Sequence, residues 1–428
     1  MKRTLQADRP QSAVFHAVTH VWGRGYLDLF LNVCIPNQLA AGNIPALPPG
    51  SCYRILTRSV HVDELNAHPM VAALREHIPV DVVVVEALDR GVDSSGAYDL
   101  MNACHRQAID DALDADAAII MLSADIVMSN DTLAAVVRRH REGYRMVAIS
   151  GVRLSKEPFL QALQRSPIPL TEFSSRDLVT LALPHLHRYT QTMFAGASAV
   201  CRKPVAVYWP VGDEGLVARC LSLHPLMIDP MRRVSLTEGT NDGPYMARAC
   251  PDLSRVHVVT DSDELQVFEL SPEKNRALTG PGAMVWRVAA MAAKCDAQQL
   301  SIWQRCDIRL HTSELDNKWV AAGALAQEFA DRVVERRTYA RFVLRWIRRV
   351  ERLRKRPGDY LNVLTSERHH VRLKRIARWT ERPAKLWKRC RPVLSPRRLA
   401  RPLRLVTHRY GKALRKSTRR ILRQVAAR

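Results

Sequence analysis

The sequence predicts an α/β fold in which a mostly parallel, Rossmann-like sheet carries helices on both faces, followed by a basic helical C-terminal region. Three observations lead to this prediction. Strand-like and helix-like hydrophobic patterns alternate along the first 150 residues. Some of the strand-like segments are continuous apolar runs, which are typical of strands buried inside a parallel sheet. Basic residues are concentrated towards the C-terminus.

The first strand and helix are predicted from a change of pattern at Gly23 and Gly25. Residues 13–22 are rich in β-branched and aromatic types, which favour a strand. In residues 26–39 the apolar positions take the spacing of one helix face. A loop rich in Pro and Gly follows at residues 42–50, so the helix ends before it.

The same alternation continues to residue 150. The predicted strands are residues 13–22, 52–57, 80–87, 117–122 and 144–150. The predicted helices are residues 26–39, 63–77, 97–113 and 130–141. Asp63 is the expected cap of the second helix, and Ser129 or Asn130 that of the fourth. Residues 80–87 contain four consecutive valines, so we expect that strand to be buried on both faces.

The stretch after residue 150 continues the same domain. Residues 151–235 contain many prolines and short mixed patterns, and we interpret them as loops that shape the second half of a site. Residues 255–270 indicate a pair of strands or a strand and turn, and residues 283–329 indicate helices.

The charge of the chain is uneven. The chain has 65 Lys and Arg against 42 Asp and Glu, but residues 331–428 hold 33 of the basic residues and only 6 of the acidic ones. The rest of the chain is therefore mildly acidic. We divide the chain into an α/β domain at residues 1–328 and a basic amphipathic helical tail at residues 329–428, with a first strong helix at residues 326–356. The sequence pI near 10.1 describes the tail.

The tail combines cations with an apolar stripe. Trp379 and Trp387 lie among its Lys and Arg residues, and such helices lie on anionic membrane surfaces. Nucleic acid is the competing partner, because phosphate backbones attract the same charges. A solvated tail without a fixed partner is the third alternative. The aromatic residues in the apolar stripe make us favour the membrane over nucleic acid.

The cysteines and the apolar segments indicate the compartment. Nine cysteines are scattered without a Cys-x-x-Cys pair, which is typical of a reducing environment. No apolar stretch follows the first charged residues, as a signal peptide would require. No window reaches about 18 uninterrupted apolar residues. We therefore expect a cytoplasmic protein that is peripheral on the inner membrane.

An acid follows the fourth predicted strand. Asp125 comes directly after the apolar run that ends at Leu122, and ligands of parallel sheets bind beyond the carboxyl ends of the strands. A carboxylate at such a place needs a partner or a ligand. The residues alone leave two interpretations open, a metal or nucleotide-sugar ligand and a turn aspartate that caps the next helix.

The segment Ala-Ile-Ile-Met-Leu-Ser-Ala-Asp-Ile-Val-Met-Ser-Asn-Asp-Thr-Leu resembles the Asp-x-Asp segment of nucleotide-sugar glycosyltransferases with the GT-A fold. In that family the last aspartate binds a divalent cation on the sugar-nucleotide diphosphate. The resemblance implies this role for Asp125, with Mn²⁺ or Mg²⁺. Ser123 stands where the family has its first acid, and Ser is a poor ligand for a hard cation. His224 is a further metal ligand that the resemblance implies.

A later segment, Thr-Asn-Asp-Gly-Pro-Tyr-Met-Ala-Arg from residue 240, is similar to the Thr-Glu-Asp…Leu…Arg segment of inverting, family-2-like members. The aspartate of that segment is the general base that deprotonates the acceptor hydroxyl. The resemblance gives this role to Asp242, while Asn241 replaces the family's glutamate. The residues alone also fit an ordinary Asn-Asp-Gly turn.

In the same family, the loop after the first strand holds the nucleotide base. The resemblance therefore implies that Trp22, Arg24 and Tyr26 bind the nucleotide of the donor, with Trp22 or Tyr26 stacking on its base. Trp22 also fits an ordinary core residue. Arg24, Arg153 and Arg202 are alternatives for sharing the negative charge of the diphosphate.

These resemblances imply an enzyme that transfers a sugar from a nucleotide-sugar donor to a polysaccharide or glycolipid acceptor, including lipid-linked acceptors, at the inner face of the membrane. The alternative is a non-catalytic protein that binds nucleic acid or a membrane through its basic tail. A second acidic segment, Thr-Asp-Ser-Asp-Glu at residues 260–264, fits either a solvated turn or a cation site. The residues favour the turn.

Overall fold

A computed structural model describes residues 9–91, 96–236, 240–280 and 283–355. Its strands are β1 (Phe15–His20), β2 (Cys52–Thr57), β3 (Val80–Val84), β4 (Ala118–Ser123), β5 (Ile126–Met128), β6 (Met146–Ile149), β7 (Val152–Ser155), β8 (Val200–Cys201), β9 (Ala206–Val211), β10 (Gly215–Cys220), β11 (His224–Ile228), β12 (Val256–Val258), β13 (Val267–Ser271), β14 (Thr279–Gly280) and β15 (Ile308–His311). Its α-helices are α1 (Arg24–Leu29), α2 (Ile35–Gln38), α3 (Val62–Ala67), α4 (Pro69–Arg75), α5 (Glu86–Gly91), α6 (Ala97–Asp114), α7 (Thr132–Arg141), α8 (Lys156–Arg165), α9 (Ser175–Ala182), α10 (Arg188–Gln191), α11 (Pro244–Ala249), α12 (Met284–Ala292), α13 (Ala297–Arg305) and α14 (Asn317–Lys355).

Seven strands form the central sheet, in the order β12, β6, β11, β4, β1, β2, β3. The pairs β1–β2, β2–β3, β1–β4 and β6–β12 are parallel. β11 lies between β4 and β6 and is antiparallel to both. The prediction of an α/β fold with a mostly parallel sheet is therefore confirmed.

Helices connect the parallel strands on both faces of the sheet. α1 and α2 lead from β1 to β2, and α3 and α4 lead from β2 to β3. The chain then crosses back to β4 through α6, which packs on β1 and β4. Crossovers between parallel strands are right-handed. The chain moves across the sheet in one direction from β1 to β3 and in the other direction from β3 to β4. α6 therefore lies on the face opposite α2 and α4.

Two of the predicted strands, the central β4 and the outermost β3, differ in burial. In β4, Ile119 and Ile120 are completely buried, and each such side chain stabilises the fold by roughly 1.5–3 kcal/mol. In β3, by contrast, Val84 is 40% exposed. The expectation that residues 80–87 are buried on both faces is wrong, because β3 is the edge strand of the sheet and ends at Val84.

The predicted helix over residues 63–77 is two helices, and its expected cap, Asp63, lies inside the first of them. α3 ends before His68 and α4 starts at Pro69. The residue before a proline avoids the helical region, which separates the two segments. The side chain of His68 caps α4 by accepting a hydrogen bond from the amide of Met70 at 3.2 Å.

The cap of the fourth predicted helix is also different. The residue before α7 is Asp131, in a left-handed conformation with φ of 65°, and not Ser129 or Asn130. The side-chain oxygen of Asn130 instead accepts hydrogen bonds from the amides of Gly42 and Asp131, at 3.1 and 2.9 Å. These bonds tie the turn before α7 to the loop at residues 42–50.

Three smaller sheets complete the described part of the fold, in the orders β5–β13–β7, β15–β10–β9 and β14–β8. The strands expected within residues 255–270 are β12 and β13, and they belong to different sheets. We call the side of the central sheet at which its parallel strands end the carboxyl edge, and the opposite side the amino edge. Because β5 follows β4 and β7 follows β6, the β5–β13–β7 sheet lies at the carboxyl edge. This position brings β13 next to Asp125.

The helices expected in residues 283–329 are α12, α13 and the first part of α14, with the unpredicted strand β15 between them. Their apolar sides form a second core with Trp209, in which Trp303 and Trp319 are buried. α14 continues beyond the expected boundary at residues 328/329. Among the described helices, none combines the length and apolar character that crossing a membrane requires. The predicted helices after residue 355, with Trp379 and Trp387, lie outside the described residues.

Candidate functional site

Asp125 lies at the carboxyl edge of the central sheet, in the short link between β4 and β5. Its backbone carbonyl accepts a hydrogen bond from the amide of Leu270 in β13 at 2.7 Å. Its carboxylate accepts one from the hydroxyl of Ser123 at 2.6 Å. The side chain is half-buried. The link therefore holds a carboxylate in place, and that carboxylate still has lone pairs for a ligand.

A second carboxylate and an arginine lie on the strands beside it. Arg153 in β7 and Glu269 in β13 are paired in the register of these parallel strands. Their side chains form an ion pair at 3.1 Å and are 35% and 30% exposed. The guanidinium of Arg153 also lies 4.9 Å from the ring centroid of Tyr189. The three groups Asp125, Arg153 and Glu269 form the acidic cluster of the carboxyl edge.

The two acids of this cluster oppose each other's ionisation. Burial raises the pKa of Asp125, and the hydrogen bond from Ser123 and the charge of Arg153 oppose this only in part. Burial and then the charge of Asp125 raise the pKa of Glu269 to about 7. One arginine does not neutralise two neighbouring carboxylates. The cluster therefore favours an additional positive charge, either a proton or a bound cation.

Tyr26, which the resemblance places in the loop after the first strand, lies in the first turn of α1 and interacts electrostatically with the same cluster. Burial, followed by the charges of Asp125 and Glu269, raises the pKa of its hydroxyl. The residue is 45% exposed, so its ring is available to a ligand. Trp22 is half-buried, with its ring centroid 5.7 Å from that of His20. Gly23, with φ of 82°, allows the turn between Trp22 and α1.

Arg24 is placed differently from what the resemblance implies. Its guanidinium donates to the carboxylates of Asp28 and Glu64, the latter at 2.6 Å. The side chain is 63% exposed. Two acids thus hold its charge at the surface of α1, whereas Arg153, one of the three alternatives for the diphosphate charge, lies in the acidic cluster.

His224 connects the two predicted acids. It begins β11, and its Nε2 donates to the carbonyl oxygen of Met121 at 3.0 Å, which leaves Nδ1 as its acceptor nitrogen. Burial lowers its pKa, and the charges of Asp242 and Asp125 oppose that effect. One imidazole therefore interacts electrostatically with both acids, although they are far apart in the sequence.

Asp242 lies just before α11, with its carboxylate held by hydroxyl groups. Ser222 donates to one oxygen at 3.4 Å and to the backbone carbonyl of Asp242 at 3.1 Å. Thr240 donates to the other carboxylate oxygen. Asn241 is buried beside it, and among the described atoms its side-chain nitrogen has no hydrogen-bond partner. Hydroxyl groups thus orient the carboxylate of Asp242. Among the described residues it forms no ion pair.

Two further histidines lie next to His224. The rings of His20 and His105 are 4.9 Å apart in an edge-to-face arrangement. Burial, followed by the charge of His224, lowers the pKa of His20 to about 4, and burial also lowers that of His105. These imidazoles are therefore neutral near pH 7.

The residues of the acidic cluster fit a magnesium-like cation in part. The pKa values of Asp125 and Glu269 show that two carboxylates interact, and such ions bind through one or two carboxylates together with phosphate oxygens of a substrate. Within the described residues, His224 does not join them in a convergent group of three metal-ligating side chains. Asp125 and Glu269 would therefore hold the ion.

Two hollows of the described structure lie elsewhere. One is lined by residues that include Ile149 and Asp261, and the other by residues that include Cys220 and Gln298. Neither has Asp125 or Asp242 in its lining. Since the ion-paired side chains of the acidic cluster are about a third exposed, a ligand would bind there on an open surface.

Comparison with protein-family models and with curated proteins found no significant match for the chain. The site therefore has to be interpreted from its own geometry. Among the residues predicted from the sequence, Ser123 donates to the carboxylate of Asp125, and His224 donates to the carbonyl oxygen of Met121 in the strand that leads to Asp125. Asp242 accepts a hydrogen bond from Ser222, two residues before His224.

Sequence reasoning missed Glu269, His20 and His105. Glu269 is a single acid between the buried Phe268 and Leu270, and an acid in the middle of a short apolar strand was a usable signal. The two histidines gave no such signal, because a histidine within an apolar segment is compatible with many environments.

Proposed function

We propose that this protein transfers a sugar from a nucleotide-diphosphate donor to an acceptor hydroxyl at the carboxyl edge of its central sheet. The observation that carries the proposal is that residues 222–224 contact both acidic segments. Ser222 donates to the carboxylate of Asp242 at 3.4 Å, and His224 donates to the carbonyl oxygen of Met121 at 3.0 Å, in the strand that leads to Asp125. This arrangement supports a common location for the two acids to which the resemblance gives complementary roles.

On the donor side, the acidic cluster would bind the diphosphate. A divalent cation held by Asp125 and Glu269 would supply positive charge to the leaving nucleoside diphosphate. Arg153, which is about a third exposed, would add a second positive charge from the protein. Ser123 orients the carboxylate of Asp125, and Tyr26 offers an exposed ring on which the nucleotide base stacks.

On the acceptor side, Asp242 would act as the general base. A hydroxyl group is a weak nucleophile, and a carboxylate within hydrogen-bond reach can accept its proton as the bond to the sugar forms. The hydroxyls of Ser222 and Thr240 orient this carboxylate. Direct attack by the deprotonated acceptor inverts the configuration at the anomeric carbon.

We propose a polysaccharide or glycolipid acceptor at the inner face of the membrane, with the basic tail holding the enzyme there. The tail's excess of Lys and Arg supports this, because each cation near an anionic surface contributes about 1 kcal/mol. The same excess favours the alternative, a non-catalytic protein that binds nucleic acid or a membrane, if no transfer occurs.

The enzymatic proposal is tested by incubating the full chain with a panel of nucleotide sugars and Mn²⁺ or Mg²⁺ and measuring released nucleoside diphosphate. We expect release that falls about 100-fold or more in Asp125→Asn and Asp242→Asn. Asp213→Asn, at an exposed turn between β9 and β10, is the matched control and should keep full activity. Release that is equal in all four proteins, or no release, would reject the proposal.

The membrane proposal is tested by pelleting liposomes with the full chain and with a chain that ends at Lys355. Cutting at residue 328 would remove Phe329 and Val333 from the second core, so the later end point is the sound one. We expect the full chain alone to pellet with anionic liposomes, and less of it at high salt. Equal pelleting of both proteins would reject a role for the tail.

A further inference from the structure

Three metal-ligating side chains converge away from the acidic cluster. Asp261 and Asp263 lie in the turn after β12, and His311 ends β15. One ligand atom of each lies within 4.8 Å of the other two. The acids belong to the segment at residues 260–264, for which the sequence alone favoured a solvated turn. The histidine comes from a strand that the sequence did not predict.

Backbone hydrogen bonds fix this arrangement. The amide of Arg309 donates to the carbonyl of Thr260, and the amide of Ser262 donates to the carbonyl of Arg309, both at 2.9 Å. The amide of His311 donates to the hydroxyl of Ser262 at 3.1 Å. The turn and the end of the strand are therefore tied together, and the side chains do not depend on a flexible link to meet.

Two contacts orient the ring of His311. His311 is 2% exposed, and its Nδ1 lies 2.7 Å from the carbonyl oxygen of Ser313. A carbonyl oxygen only accepts, so Nδ1 carries a hydrogen and donates it. Nε2 is 2.8 Å from an oxygen of Asp261 and 3.9 Å from an oxygen of Asp263. Nε2 is therefore the ring nitrogen that faces the two carboxylates.

Two carboxylates and one imidazole nitrogen therefore converge, and a divalent cation would balance the negative charge of the carboxylates. Neighbouring ligand atoms of an octahedral ion with bonds of about 2.1 Å lie about 3 Å apart, close to the separation of His311 and Asp261. Asp261 and Asp263 are 42% and 39% exposed, which leaves one side open for water or a ligand. Both acids also face the same ring nitrogen.

Arg176 completes the surroundings by orienting Asp263. Its guanidinium donates to the two carboxylate oxygens at 2.9 and 2.7 Å and also to Glu314 at 2.7 Å. Such outer partners fix the direction of a ligating carboxylate without replacing it at the metal. The ring centroid of Trp319 lies 5.7 Å from that of His311, in an edge-to-face arrangement.

We propose that Asp261, Asp263 and His311 bind one first-row divalent metal ion, such as Mn²⁺ or Zn²⁺, through two carboxylate oxygens and the Nε2 of the imidazole. Mixed oxygen and imidazole donors suit these ions. With three protein ligands on one side, the remaining coordination positions face solvent. This is the arrangement of a site that binds a further ligand rather than a closed structural one.

The proposed metal site is separate from the acidic cluster. Asp261 follows β12, and Asp125 follows β4, three positions away in the order of the central sheet. At about 4.8 Å per strand this corresponds to roughly 14 Å along the sheet edge. The proposal therefore does not depend on glycosyl transfer, and the two sites are distinguishable by mutation.

The test is a calorimetric titration of the full, metal-free chain with Mn²⁺ alone, an ion that prefers oxygen and imidazole donors to the thiols of this chain. We expect a site whose affinity for Mn²⁺ falls at least tenfold in Asp261→Asn and in His311→Gln. His77→Gln, a change at an exposed histidine, should retain that affinity. No Mn²⁺ binding, or equal binding in Asp261→Asn and the unchanged protein, would overturn the proposal.

A second measurement covers the case in which His311→Gln does not fold. In NMR spectra of histidine-labelled protein, a small amount of Mn²⁺ should selectively broaden the ring signals of one histidine, and Asp261→Asn, a change at a partly exposed residue, should abolish that broadening. An ion pair without a metal would leave the ring signals sharp at that Mn²⁺ concentration, which would contradict the proposal.

Discussion

The amino edge and the carboxyl edge of the central sheet each hold an aspartate, and the two carboxylates differ in the number of their hydrogen-bond partners. At the amino edge, Asp229 is completely buried and accepts hydrogen bonds from the amide and hydroxyl of Ser12, both at 2.9 Å. His140 and Arg145 approach the same carboxylate at 3.0 Å. At the carboxyl edge, Asp125 receives one side-chain hydrogen bond, from Ser123.

The pKa values follow this difference. Burial alone would raise the pKa of Asp229, but the hydrogen bonds from His140 and Ser12 and the charge of Arg145 outweigh it, so the pKa lies below its ordinary value. For Asp125 burial prevails and the pKa is raised. We infer from this contrast that the carboxylate of Asp229 stabilises the fold, whereas that of Asp125 is able to bind a ligand.

The largest effect is expected for Asp229→Ala. This change removes the partner of Arg145 and His140 in a buried network, and breaking a buried ion pair costs about 3–5 kcal/mol. The free energy of unfolding, measured with urea, should fall by that amount. Asp125→Asn is the control at the other edge and should leave the unfolding free energy within about 1 kcal/mol. Similar losses for both variants would remove the contrast between the edges.

The next effect concerns the nucleotide and separates Tyr26 from Arg24. If the base stacks on Tyr26, Tyr26→Ala should weaken binding of a nucleoside diphosphate about 5- to 100-fold, since stacking of one base on an aromatic ring contributes about 1–3 kcal/mol. Arg24→Met should change it less than twofold, because Asp28 and Glu64 already hold that guanidinium. Calorimetry measures the affinity of both variants for the nucleoside diphosphate. A larger loss of affinity in Arg24→Met would mean that Arg24 binds the nucleotide.

The smallest effect is a difference in pH dependence. Because the pKa of Glu269 is raised to about 7 in the folded protein, its protonated form is the stabilising one. That stability is fully present below about pH 4.5 and is lost as the pH rises through about 7. Asp229 has the opposite sign, since its pKa is lowered and its stabilisation is lost only as the pH falls through that lowered value.

This pH dependence is measured by comparing the unchanged protein with Glu269→Gln at pH 4.5 and pH 8. Allowing for the partial exposure of Glu269, the difference in unfolding free energy should change by about 1–2 kcal/mol in favour of Glu269→Gln at pH 8. Glu273→Gln, at an exposed residue nearby, should give no such change. An unaltered difference between the two pH values would mean that the pKa of Glu269 is not raised in the folded protein.

The interior of the fold was predictable from the sequence, because apolar patterns report burial directly. β1, β2, β3 and β6 lie within the expected ranges, and β4 extends one residue beyond its expected range. The insertion of β11 between β4 and β6 was not predictable, since the strand pattern shows neither the partner nor the direction of pairing. The valines of β3 misled for the same reason, because an edge strand and a central one can share an apolar run.

The positions of the candidate residues were predictable where a local signal exists, and not where long-range contacts decide them. Asp125 follows a buried strand, and that position alone marks it. Glu269 and Arg153 become neighbours only through the pairing of β13 with β7. Arg24 has the right place in the sequence, but Glu64, from α3, binds its charge. His311 similarly meets Asp261 only because the turn after β12 joins the end of β15.

The most direct test of the central claim is the calorimetric binding of a nucleoside diphosphate with Mg²⁺ to the full chain and to two variants. If Asp125 binds the donor and Asp242 only activates the acceptor, Asp125→Asn should weaken binding at least tenfold, while Asp242→Asn and the control Asp213→Asn remain within threefold. Failure of the unchanged chain to bind, or binding that is indifferent to Asp125, would contradict the assignment of the carboxyl edge to a nucleotide donor.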